Sequence, residues 1–258
     1  MLTIRREQMD VLRESALRAY EDSMVTHLAE FSPALFKTLG TEQLRVAVRQ
    51  GMAQAARAGF DLQGPVRLYL ELMLLFGSRF ETDPQYPWAA ELLTNQDGEP
   101  QMRRAERLYA RTMDYRHKVM GSQDAFALQA LRNIRAFAAG PVEFAPAQLV
   151  PFMLDEIARI YPEKAAYVGT AALSALIRRA DQGARNLRFT TPRAIAIVVV
   201  LMLAFGHGCG ADPFYPWIGR TLKDERITDP AAKAERLENR ALIWLDAVLA
   251  NLGEEATR

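Results

Sequence analysis

The chain reads as an all-α protein made by tandem duplication of a helical bundle unit of roughly 120 residues with about five helices, a whole-domain repeat rather than a short-period solenoid. Three observations predict this. First, sliding the 258 residues over themselves by 129 places Leu72-Met73-Leu74 on Leu201-Met202-Leu203 and Phe76-Gly77 on Phe205-Gly206. The same offset places Asp83-Pro84 on Asp212-Pro213 and Tyr86-Pro87-Trp88 on Tyr215-Pro216-Trp217. It also holds, without a gap, for Pro33 and Pro162, Gly40-Thr41 and Gly169-Thr170, Leu44 and Leu173, Arg49 and Arg178, Phe60 and Phe189, and Ala105 to Leu108 against Ala234 to Leu237. Second, Met9, Leu12, Ala16, Ala19, Tyr20, Met24 and Leu28 follow a helical period. Third, Val66 to Leu74 spaces Arg67 and Glu71 along one helical face, so the β-branched run Ile195 to Leu203 that aligns with it is read as a helix too. Duplicated halves share one self-complementary patch, which makes pseudo-twofold packing the expectation.

The elements follow from local signals. An opening helix is expected from Arg5 to Glu30. Thr41 and Thr170 are candidate caps of a second helix that stops, in the first copy, at Gly59. Gly64-Pro65 and Thr191-Pro192 begin the third helix, proline being tolerated in the first turn. Asp83-Pro84 and Asp212-Pro213 read as N-cap and first residue of a short fourth helix that holds the tryptophan. Glu99 to Met120 and Asp229 to about Leu252 form the fifth. This divides the chain into unit 1 (residues 1–122), a connecting helix with a Gly140-Pro141 linker (123–145) and unit 2 (146–258), which opens with a helix from Pro146 to Ile160.

Composition narrows the function classes. Half of the residues are apolar and the net charge is +1, which excludes a chain disordered by composition. Lys and Arg against Asp and Glu count 16 to 17 in residues 1–129 and 16 to 14 in 130–258, so neither half is a basic nucleic-acid module. Cys209 is the single cysteine, so no disulfide framework exists. The apolar run Ala194 to Phe205 is too short to span a bilayer, and no export signal is visible at the start of the sequence. A cytoplasmic location is expected.

Chemical signatures are sparse. His207-Gly208-Cys209-Gly210 offers too few ligands for zinc, and its glycines serve a turn. His27 and His117 read as solvated surface, and neither phosphate-binding glycine motif occurs. No catalytic, cofactor or metal residue is therefore assigned, and no cofactor is expected. Two features remain as candidates for partner binding. One is the aromatic set of the repeated D-P-x-Y-P-W segment: Tyr86, Trp88, Tyr215 and Trp217. Capping and core packing explain the same residues without a partner. The other is the basic stretch Arg178, Arg179, Arg185, Arg188 and Arg193, which only Asp181 opposes; a solvated helix face is its plainer meaning. Glu71, aligned with Val200, sits at the rim of the core or pairs with Arg67.

The segment LELMLLFGSRFETDPQYPWAAELL, with the opening helix IRREQMDVLRESALRAYEDSMVTHL before it, resembles a helical bacterial family of uncharacterised proteins encoded beside toxin and type VI secretion genes. The likeness covers residues 3–120 and is looser in 134–252, where Ile218 stands for Ala89 and HGCG for SRFE. It implies a setting and no residue roles: a non-enzymatic accessory factor, acting as adaptor or chaperone for a secreted toxin effector, whose partner is that effector or a secretion-system component. An immunity protein that neutralises a toxin by binding is one alternative. An enzyme with a site between the halves, using Glu71, Asp83, His207 and Asp212, is another. The oligomeric state is left open.

Overall fold

The computed structural model describes residues 6–94 and 98–255, and among them every regular element is helical. The predicted unit ends at 1–5 and 256–258 lie outside the described residues. In chain order the helices are α1 (Arg6–Phe31), α2 (Pro33–Arg57), α3 (Gln63–Phe76), α4 (Pro87–Leu93) and α5 (Gln101–Tyr115), the last widening into a π turn over Arg116–Met120. There follow α6 (Ala125–Ala139), α7 (Leu149–Ile160), α8 (Pro162–Val168), α9 (Thr170–Asn186), α10 (Pro192–Phe205), α11 (Pro216–Leu222) and α12 (Pro230–Glu255). The starts Pro33 and Pro162, Gln63 and Pro192, Pro87 and Pro216, and Gln101 and Pro230 are each 129 residues apart. Among the described residues no helix is long and apolar enough to cross a membrane.

Helix boundaries obey the expected chemistry in some places and depart from it in others. Thr191 caps α10 by accepting from the Ala194 N–H, and Asp229 accepts from Ala231 and Ala232 at the start of α12. Thr41 and Thr170 do not cap. Short helical segments, begun by Pro33 and Pro162, precede them and are broken at Gly40 (φ 73°) and Gly169 (φ 82°), both left-handed. The opening stripe is also only half used. Met24 and Leu28 are buried, but Met9, Leu12, Ala16 and Ala19 are exposed, because α3 begins at Gln63, level with Tyr20, whose hydroxyl donates to the Gln63 carbonyl.

Two apolar cores result. One gathers Leu44, Val48, Tyr69, Met73 and Phe80; the other gathers Met153, Ile157, Leu176, Ile177 and Val199. The halves interpenetrate at their edges. Phe214 buries its ring in the first core, and Gln85, its counterpart at the 129-residue offset, donates to the Met202 carbonyl of α10. Two cations, Arg104 buried and Lys233 half-buried, close helix ends. Arg104 donates to the Ala58, Gly59 and Leu93 carbonyls and lies over the Phe60 ring, and Lys233 donates to Leu222, the counterpart of Leu93. Such groups satisfy terminal carbonyls that no amide reaches.

Candidate functional site

The distinctive geometry lies where the two D-P-x-Y-P-W segments meet. Both aspartates are 3% exposed, and neither starts a helix. Asp83 Oδ1 accepts from its own Gln85 N–H (2.9 Å), and Oδ2 from the His207 N–H (2.6 Å). Asp212 Oδ1 accepts from the Phe214 N–H (2.8 Å), and Oδ2 from the Ser78 N–H (2.7 Å). The first proline therefore does not occupy the first helical position; Pro87 and Pro216 do. The expected N-cap is replaced by an Asx turn that reaches across to the other half.

Glycine makes the approach possible. Gly77 (φ 95°) and Gly206 (φ 82°) end α3 and α10 in conformations that L side chains avoid. A Cβ on Gly77 would stand 2.3 Å from the Phe205 carbonyl oxygen, and one on Gly206 2.7 Å from that of Phe76. The backbones thus touch, and the next N–H on each side is delivered to the opposite carboxylate.

His207 closes one flank. Its Nε2 lies 3.1 Å from the Arg79 carbonyl and 2.9 Å from Thr82 Oγ1, while Nδ1 lies 3.1 Å from Arg179 Nη1. A carbonyl must accept and a guanidinium must donate, so the ring is neutral with its proton on Nε2. Burial, then Arg179 and Arg79, hold its pKa below the ordinary value against the pull of Asp83. Cys209 is buried, and burial pushes its thiol up to about 12, which disfavours the reactive thiolate. His27 is corrected by the structure: it is half-buried and sits 2.7 Å from Glu71, which also pairs with Arg67. His117 is exposed, as expected.

The candidate arginines scatter. Arg179 is spent on His207 and the Thr82 carbonyl, and Arg185 pairs with Asp181 one turn away. Arg193 pairs with Glu238 and donates to the Ala138 and Gly140 carbonyls, tying α10 to α6 and α12. Arg188 is exposed at a left-handed φ of 60°. Arg178 is exposed. Its counterpart Arg49 is held by Glu21, whose place in the second half belongs to Val150.

The candidate aromatics split instead of scattering. Around Phe76, Tyr86 and Trp88 stack with Tyr115, and all are buried. Around Phe205, Tyr215 and Trp217 stack with Trp244, and these three are half-buried. Against them opens a groove of about 510 Å³, lined by Leu35, Leu74, Tyr215, Trp217, Ile243 and Trp244. That volume is in the range of small-molecule pockets. Ile243 is 70% exposed on its rim.

Comparison with protein-family models, curated proteins and solved structures finds no match.

Sequence reasoning missed Lys164. It is 4% exposed, donates to the Leu203 carbonyl (2.8 Å) and lies over the Tyr86 ring. Burial pushes its ammonium down to about 8, with Asp83 opposing. The signal was present as a lysine standing where the first half has Leu35.

Proposed function

We propose that this chain is a duplicated helical unit, its copies packed about a pseudo-twofold axis, that acts as a non-enzymatic protein-binding accessory factor. Helix starts that recur at one offset, and the exchange of amides between Asp83 and Asp212, support the duplication. Reciprocal contacts of this kind are those of an isologous interface. The observation that carries the binding role is the aromatic groove of Tyr215, Trp217 and Trp244, because half-buried tryptophan and tyrosine in a concave apolar setting are the usual anchors of protein interfaces. An adaptor or chaperone for a type VI secretion effector is the form of this role that the family resemblance suggests.

The test is affinity capture with the tagged chain from cells that express candidate effectors, run beside an Ile243→Glu variant. The rim position tolerates charge, so folding is retained. The reading expects an effector retained by the parent chain and lost from the variant, and effector delivery that requires the parent chain. An effector that is bound and silenced, with delivery unaffected, assigns the immunity role instead. Failure of a well-folded chain to hold any effector overturns both.

A further inference from the structure

The two halves differ in how much apolar surface they leave bare. Among the described residues, eleven large apolar side chains stand exposed in residues 6–126, and one, Ile243, in the rest of the chain. The second half owes its cover to α6. Leu131, Ile134 and Phe137 of that helix face Ile197 and Val200 of α10 and Leu242 of α12 across one apolar cavity. The Arg135–Asp246 ion pair holds α6 there, as does Arg193, which donates to the Ala138 and Gly140 carbonyls. The chain can lie back in this way because it breaks at Gly140-Pro141, between α6 and α7.

At the 129-residue offset Gly140-Pro141 becomes Val11-Leu12, and α1 runs straight through it. Tyr20 meets Gln63 and His27 meets Glu71, so α1 is parallel to α3, and from Tyr20 back to Met9 it projects about 17 Å past the start of α3. Met9, Leu12 and Ala16 continue the stripe of Tyr20 and Met24 along this projection, all three exposed, while Glu14 and Arg18 pair on the opposite face. Their spacing is that of Leu131, Ile134 and Ala138 in α6. The place that α6 covers in the second half is bare in the first: Leu68 and Leu75 of α3 are half-buried, and Tyr109 and Met113 of α5 are 54 and 42% exposed. One chain thus holds an apolar helix without a seat and a seat without a helix, and lacks the break that would bring them together.

We propose that two copies of the chain exchange these elements, the start of α1 of each lying across Leu68, Leu75, Tyr109 and Met113 of the other. Exchange of an identical element is a low-cost route to a twofold dimer, and both contacts form together in it. Each copy supplies the other with the cover that α6 gives the second half from within. The dimer is independent of the protein-binding reading, which uses the groove of Tyr215, Trp217 and Trp244.

Sedimentation equilibrium of the full chain over a range of micromolar concentrations is expected to show monomer and dimer in exchange. Leu12→Glu on the helix and Met113→Lys on the seat both replace exposed side chains, so circular dichroism and melting are expected to match the parent. Each variant alone is expected to weaken the dimer at least about tenfold. An equimolar mixture of the two is expected to recover it, since one contact then has the parent sequence and the other sets the new carboxylate against the new ammonium. Tyr109→Lys takes the place of Met113→Lys if the latter does not fold. A chain that stays monomeric at every concentration overturns the proposal, and binding of that monomer to anionic phospholipid vesicles, lost in Leu12→Glu, gives the stripe to a lipid surface instead. A dimer broken by Leu12→Glu but untouched by the seat variant also overturns it, in favour of α1 pairing with α1. So does a dimer that neither variant changes, or two weakened variants that do not rescue each other.

Discussion

Asp83 and Asp212 each bind the backbone of the half to which the other belongs: Asp83 takes the His207 amide, and Asp212 takes the Ser78 amide. Both carboxylates are buried, and each accepts two backbone amides. Replacing either by alanine strands buried donors, at about 1–3 kcal/mol per group. Asp83→Ala and Asp212→Ala are each expected to lower stability by about 2–5 kcal/mol. The double variant is expected to lose less than the sum, because either loss loosens the same contact. Urea unfolding of the full cycle measures this, and strict additivity contradicts it.

The glycines between them admit no side chain. Gly77→Ala and Gly206→Ala combine a left-handed φ with a Cβ inside contact distance of an opposing carbonyl oxygen. Each is expected to cost at least about 2 kcal/mol, with Gly77→Ala the worse of the two at 2.3 Å against 2.7 Å. Gly98→Ala serves as a control: φ is +65° there, but no atom lies near. Thermal melts that rank all three equally refute the role of contact.

Lys164 makes stability depend on alkaline pH. Its folded pKa of about 8 is below the ordinary 10.5, so between those values the unfolded chain holds the extra proton. Stability contributed by this group therefore rises as pH climbs from about 8, until the buried phenols of Tyr86 and Tyr161, whose pKa values burial raises, begin to oppose it. Urea midpoints at pH 7.5 and 9.5 are expected to favour the parent chain over Lys164→Met increasingly with pH. A difference that does not change with pH contradicts the buried ammonium.

His207 is expected to stay neutral to below pH 6.5, with its proton on Nε2. Its folded pKa is depressed, so the unfolded chain protonates first as pH falls through 6.5, and stability from this group is lost in that direction. Imidazole nitrogen shifts in NMR show both tautomer and titration. A resonance that titrates at or above the ordinary histidine value rules out the arrangement with Arg79 and Arg179.

Helix positions were legible because proline at a first turn and apolar periodicity are local signals, and they mark α3, α10, α11 and α12 within a few residues. The roles of Asp83 and Asp212 were not. An aspartate before a proline has the same local pattern whether it caps its own helix or holds an amide 124 residues away. His27 failed for a similar reason, since its partner Glu71 lies on another helix. The aromatic motif was legible as a motif, but its two copies differ in exposure because of residues outside it, at 161, 164 and 167. The short helices at Pro33 and Pro162 were missed because Gly40 and Gly169 hide the break inside an otherwise continuous helical pattern.

The crossed amides also bear on how the chain reaches this state. Their bonds join residues 124 and 134 apart, so neither forms until about half the chain has been closed into a loop. Contacts of such high sequence separation form slowly compared with the local packing of helix pairs. Helix pairs such as α9 with α10 are ready early, but the meeting of Gly77 with Gly206 needs both halves at once. A ribosome releasing this chain therefore exposes the first half, with the Ser78 amide still wet, for as long as synthesis takes to reach Asp212.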